Sequence, residues 1–163
     1  MVDTNRYVYV MRHALAQSGA VDINRPLSQK GKKAVFNQIE KFEKVDGIRP
    51  DCLLCSSARR ARQTAEILLN FFVGIPVFYY ESLYLASRER VMELIHRTDN
   101  LFKRILIIGH NPGLEQFISL LDCLHQIQNL NPADCIALKV LISDWQQLKT
   151  GTGQIQKIFR ADV

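Results

Sequence analysis

Residues 7–17 read YVYVMRHALAQ. Tyr7 to Met11 form an unbroken apolar and aromatic run that leads straight into Arg12-His13. Such a run, without alternation, fits a strand buried on both faces, the setting of a central strand in a parallel sheet. Its polar ending has two readings. Either the chain simply reaches the surface there, or a rigid strand end holds a histidine for chemistry. The rest of the chain decides between them.

Outward from this stretch, strand-like and helix-like segments alternate. A loop containing Arg25-Pro26-Leu27-Ser28 precedes a predicted helix over 29–44, with Val35, Ile39 and Phe42 at helical spacing and Gly47 and Pro50 as breakers. "CLLCS" (52–56) is a strand, and a helix near 58–72 puts Ala61, Ala65, Leu68 and Phe72 on one face. "IPVFYY" (75–80) is a short strand, followed by a helix near 87–97. "RILIIGH" (104–110) is a third strong strand. Helix 112–125 is expected to start with Asn111 as N-cap and Pro112 as first helical residue. The chain then finishes as a hairpin, 135–143 and 155–159. This alternation predicts one domain over 1–163, an α/β three-layer sandwich with a mostly parallel central sheet.

Composition sets bounds. The 163 residues are 47% hydrophobic and 23% charged, as in an ordinary globular domain. No run of about 18 apolar residues suggests a membrane span. The N-terminal stretch lacks the layout of a signal peptide, so a cytoplasmic location is the expectation. A net charge of +5 favours anionic partners. Nucleic acid ranks low among these, because no aromatic stacking platform accompanies the basic residues. Cys52 and Cys55 form a CxxC, but no second cysteine or histidine pair completes a zinc set. Along a strand, positions i and i+3 point to opposite faces. All four cysteines, with Cys123 and Cys135, are therefore expected to be reduced packing residues.

The chemistry gathers at three strand ends. The first strand ends on Arg12-His13, the second on Ser56-Ser57 with Arg60 just beyond, and the third on Gly109-His110-Asn111. In open α/β sheets, ligands bind outside the carboxyl ends of the strands. If these strands are adjacent and parallel, two histidines and two arginines meet at one rim beside helix N-termini, which suits a doubly charged anion such as phosphate. Singly, each residue is a common strand terminus or helix charge. Together, and in this order, they are hard to assign to chance.

The pattern resembles the histidine phosphatase superfamily, which includes the phosphoglycerate mutases. "MRHALA" resembles its RHG or RHA signature, with Ala14 where many members have glycine, and "RPLSQKG" resembles its PLTxxG segment. "CSSARRARQTAEIL", "ESLYLASRERVMELI" and "LIIGHNPGLEQF" are similar to further family segments, the last in the variant of the short SixA-type phosphohistidine phosphatases. The resemblance runs over nearly the whole chain and implies a phosphoglycerate mutase-like fold. It places a nucleophile on His13 and phosphate-binding groups on Arg12, Arg60 and His110. Glu81, an acidic residue ahead of the "LY" stretch, matches the family's proton donor.

The implied activity is a metal-independent phosphatase that needs no cofactor and forms a phosphohistidine intermediate on His13. Its short connections suggest an open rim, suited to phosphohistidine displayed on a protein such as a phosphotransfer domain, with inorganic phosphate as product. A small phosphomonoester is the alternative substrate, and a non-catalytic phosphate-binding module the alternative outside enzymes. Arg12 is expected to disfavour protonation of His13 and so keep it nucleophilic.

Overall fold

The structure is a computed structural model that describes residues 4–19, 21–45 and 48–162. Gly47, expected to break the first helix, lies outside the described residues. In chain order the elements are β1 (Asn5–Arg12), α1 (Gln29–Glu43), β2 (Cys52–Ser56), α2 (Arg59–Leu69), β3 (Val77–Tyr80), α3 (Arg88–His96), β4 (Arg104–Gly109), α4 (Gly113–Leu121), β5 (Cys135–Leu141) and β6 (Gly153–Phe159). Short 3-10 turns sit at Asp22–Asn24, Glu81–Leu83 and Trp145–Gln147.

The strands form one mixed sheet in the order β3-β2-β4-β1-β5-β6. The β3-β2-β4-β1 half is parallel, whereas β5 and β6 are antiparallel additions. The architecture is thus the expected α/β sandwich, mostly parallel, with an antiparallel margin. Residues of β1, β2 and β4 alternate between two cores. Val8, Val10, Cys52, Leu54, Ile105 and Ile107 pack under α3 and α4. Tyr9, Met11, Leu53, Cys55, Leu106 and Ile108 pack under α1 and α2. Burial on both faces is why these strands read as continuous apolar runs. The same alternation separates Cys52 from Cys55, and both are free and buried. Burial pushes the Cys52 thiol up to about 12 and the Cys55 thiol higher still, so neither is a reactive thiolate.

Two motif glycines are set by close approach. A Cβ on Gly31, in the first turn of α1, would lie 2.2 Å from Leu15 O, so glycine lets α1 seat against the loop after β1. A Cβ on Gly113, the first residue of α4, would lie 1.9 Å from Ala86 O, so glycine lets α4 meet the turn before α3. Ser28 and Ser87 cap α1 and α3, each accepting from a backbone N–H one turn inside.

The start of α4 differs from the expectation. Pro112, not Asn111, is the N-cap, and the helix stops at Leu121 rather than near 125. Asn111 fails as a cap because its side chain faces the other way. Its Nδ2 donates to Glu115 Oε1 at 2.6 Å and to Leu130 O at 2.9 Å. Asp122 ends α4 in an extended conformation, with its carboxylate accepting from Leu124, His125 and Ile155 backbone N–H groups.

Candidate active site

Register brings the three strand ends together. Arg12 pairs with Gly109 across β1 and β4, and Cys55 pairs with Ile108 across β2 and β4. His13 therefore follows β1 directly beside His110, with its backbone N–H donating to Gly109 O at 3.1 Å. The two imidazole centroids lie 5.0 Å apart. The turn after β2 starts α2 at Arg59, so Arg60 enters from that helix's first turn. Thr64, one turn on, accepts from Ala14 N and donates to Arg60 O, tying the loop after β1 to the helix that carries the guanidinium.

Arg60 is the hub. Its Nε–H donates to His13 Nε2 at 3.1 Å, and its NH2 group donates to His110 Nδ1 at 3.2 Å. A guanidinium only donates, so both ring atoms accept, and both tautomers follow. His13 carries its proton on Nδ1 and gives it to Ala14 O at 2.7 Å. His110 carries its proton on Nε2 and gives it to Ser56 Oγ at 2.7 Å.

Electrostatics agree with two neutral rings. Burial, followed by the Arg60 and Arg12 charges, pushes His13 down to about 4, against the pull of the Ala14 carbonyl. Burial, followed by the neighbouring His13 and Arg60, pushes His110 down to about 3. Arg12 does disfavour protonation of His13 as expected, but it ranks behind burial and Arg60. Both imidazole lone pairs are turned toward a guanidinium, and Arg12, Arg25 and Arg60 make the local charge cationic.

Arg12 is held from the opposite side. Its NH1 group donates to Leu130 O at 2.9 Å, and its buried Nε has no partner among the described residues. The loop that carries Leu130 is fixed by Glu115, whose Oε1 accepts from Leu130 N at 2.6 Å. Ala133 N also donates back to the Arg12 and His13 carbonyls. Arg12, His13, Arg60 and His110 thus line one hollow of about 340 Å³, with Leu15, Ala16, Asp22, Arg25, Leu85, Asn111 and Pro132. Glu81 does not line it. It borders a neighbouring hollow with Ser57, Arg59, Arg62 and Glu66.

Asp22 is the residue that sequence reasoning missed. Its backbone carbonyl accepts from Arg60 NH1 at 2.7 Å, and its Oδ2 accepts from Arg60 NH2 at 3.1 Å and from the Tyr84 hydroxyl. The Tyr84 hydrogen bond, together with Arg60 and Arg25, holds its carboxyl down at about 2, against a smaller burial penalty. Tyr84 also sets its ring edge-on to His110, at 5.4 Å. The only sequence signal for Asp22 was its position just ahead of "RPLS", where an isolated acid in a loop looks like any solvated residue.

No protein-family profile matches the chain. By sequence, the uncharacterized protein Rv1276c of Mycobacterium tuberculosis is 28% identical over 151 residues, covering 86% of this chain and 93% of that protein. The uncharacterized protein ML1117 of Mycobacterium leprae is 28% identical over 110 residues, covering 63% and 66%. By structure, the chain is similar to a Nakamurella multipartitia protein with a provisional designation as phosphohistidine phosphatase SixA. The TM-score is 0.82 at 20% identity, with 98% of each chain covered. It is also similar to the protein histidine phosphatase SixA complexed with tungstate, at TM-score 0.73, 22% identity and coverage of 94% of this chain and 96% of that one. The mycobacterial glucosyl-3-phosphoglycerate phosphatase Rv2419c superimposes at TM-score 0.65 and 14% identity, covering 93% and 97%. The fold is therefore that of the histidine phosphatase superfamily, phosphoglycerate mutase-like, as the sequence resemblance implied.

Proposed function

We propose that the chain is a phosphatase that works through a phosphohistidine on His13, and that its substrate is phosphohistidine on a protein. The observation that carries this reading is the neutral His13 at the end of a central strand. Its Nδ1–H is fixed by Ala14 O, and its Nε2, which accepts from Arg60 Nε in the free protein, faces a hollow lined by Arg12, Arg25 and Arg60. A nitrogen lone pair aimed at a cationic hollow is arranged to attack phosphorus while the guanidinium groups balance the phosphoryl oxygens.

In the first step His13 Nε2 gives its lone pair to phosphorus. The bond from phosphorus to the substrate nitrogen breaks, and that nitrogen leaves with the bonding pair and takes a proton from solvent. In the second step water attacks the phosphorus of phospho-His13, phosphate departs, and Nε2 regains its lone pair. Arg12 and Arg60 bind the equatorial oxygens throughout. His110 adds a donor only when it is protonated on Nδ1, and a bound dianion favours that form.

Two features support a protein substrate. Leu15 and Leu85 both border the hollow and are exposed, which gives the rim an apolar contact surface. Glu81, the matched proton donor, borders a different hollow. A nitrogen leaving group needs less acid assistance than an alkoxide, so this placement favours phosphohistidine over a phosphomonoester. The comparisons with SixA proteins support the same class. The test is phosphate release from phosphohistidine phosphotransfer proteins against a panel of sugar phosphates and nucleotides at equal concentration. Faster release from a phosphohistidine protein is expected. A small phosphomonoester that outruns all of them would replace this substrate class.

A further inference from the structure

Arg60 is already occupied. Of its five N–H groups, one goes to His13, one to His110 and two to Asp22. A phosphoryl group cannot engage this guanidinium through two donors unless some present partner leaves.

We propose that Asp22 is a displaceable internal anion, which holds the Arg60 donors in the free protein and is expelled by the incoming phosphoryl group. The inference rests on the reading of this hollow as a phosphoryl site, and it adds a residue that governs which anions enter. Burial decides which partner moves. The Arg60 side chain is 4% exposed and that of Asp22 is 46% exposed. Asp22 can swing into water and be solvated there, whereas Arg60 cannot leave without stranding a buried charge. The element that carries Asp22 is built to yield. The 3-10 turn Asp22–Asn24 buries none of its residues, and its N-cap position, Val21, makes no side-chain capping bond. Arg25, which borders the rim of the hollow, holds the other carboxylate oxygen, Oδ1, at 3.2 Å, and remains a partner for the displaced carboxylate.

Displacement makes the site selective by competition. An entering ligand must outbid an internal carboxylate, so singly charged anions gain little and dianionic tetrahedral groups gain most. The same competition helps release product, because Asp22 recaptures Arg60 as phosphate leaves. If Asp22 instead only oriented Arg60 for phosphate, removing it would have the opposite effect on affinity. The sign of the effect therefore separates the two roles.

The experiment is calorimetric titration with sodium tungstate of the wild type, Asp22→Asn, Asp22→Ala and Arg60→Ala, each checked for a cooperative melt. Both Asp22 variants should bind tungstate about tenfold tighter, the factor for one charge-assisted hydrogen bond no longer surrendered on binding. Inhibition by inorganic phosphate should strengthen by a similar factor. Equal or weaker binding in both Asp22 variants, with the wild type still binding, overturns the displacement inference alone. Absence of tungstate binding in every protein, or binding that survives Arg60→Ala, overturns the phosphoryl-site reading itself.

Discussion

Arg60 Nε–H points at His13 Nε2 across 3.1 Å, so the group that would hold the phosphoryl oxygens also covers the lone pair that would attack. In the resting site Arg60, His13, His110 and Asp22 pair with one another, and an anion that engages Arg60 must reorganise them. On the proposed mechanism, reactivity depends on His13 itself and on the partners that keep it neutral.

Replacing His13 by alanine should abolish phosphate release, a loss of about three decades or more. The fold should persist, since His13 lines a hollow instead of filling a core. Wild type exposed briefly to labelled substrate should carry acid-labile label on His13. Label on serine or cysteine, or turnover in His13→Ala, would refute the assignment.

Arg60→Ala should cost about two to three decades in rate, the scale of one lost preorganised donor, and His110→Ala about as much, since it removes the donor that forms on Nδ1 once the dianion binds. Arg62→Ala should change the rate little, because Arg62 lies over the Tyr79 ring at 4.4 Å and borders the neighbouring hollow. Rates as low in Arg62→Ala as in Arg60→Ala would mean that the second hollow takes part in turnover.

The pH response has a definite sign. His13 stays neutral down to about pH 4, so the acid limb of kcat/KM should fall well below the roughly 6.5 of free imidazole. Stability should move with it. In the unfolded chain both histidines take a proton below about 6.5, while in the folded chain they resist to about 4 and about 3. The unfolded state then binds more protons, so stability falls as pH drops from 7 to 5, by about 2 kcal/mol for each histidine. Urea midpoints at the two pH values check this. His110→Ala should show a shallower loss, and equal slopes in variant and wild type would contradict the shifts.

Gly113→Ala should destabilise by about 2 kcal/mol or more, since the added methyl meets Ala86 O and must push α4 away from the turn before α3. Gly74→Ala provides the contrast. Its Cβ would meet nothing within 4 Å, and only the positive φ of 84° opposes it. Melting curves decide, and a Gly113→Ala midpoint at or above that of Gly74→Ala would refute the close-approach account.

The legible parts of the sequence were those written in short-range pattern. Val8 to Met11 and Ile105 to Ile108 are apolar on both faces because helices cover both sides of the sheet, and a run of four or five such residues is visible without the fold. His13, Arg60 and His110 were legible because each stands at or just beyond the end of such a run. Asp22 and Glu115 were not legible. Their partners lie 38 and 15 positions away, at Arg60 and Leu130, and neither residue breaks a local pattern. The role of Asn111 was misjudged for the same reason. Its position suits a helix cap, but a distant carbonyl, Leu130 O, competes for its side chain.

The strand order also constrains how the chain leaves the ribosome. β1 emerges first, yet both of its sheet neighbours, β4 and β5, come later, from residue 104 onward. At roughly 5–20 residues per second, the apolar "YVYVM" stretch waits several seconds without a partner. During that interval it is an open template for pairing with another nascent chain. Yield in a recombinant host should therefore depend on elongation rate and on chaperone occupancy of the N-terminal segment, even for variants whose finished fold is unchanged.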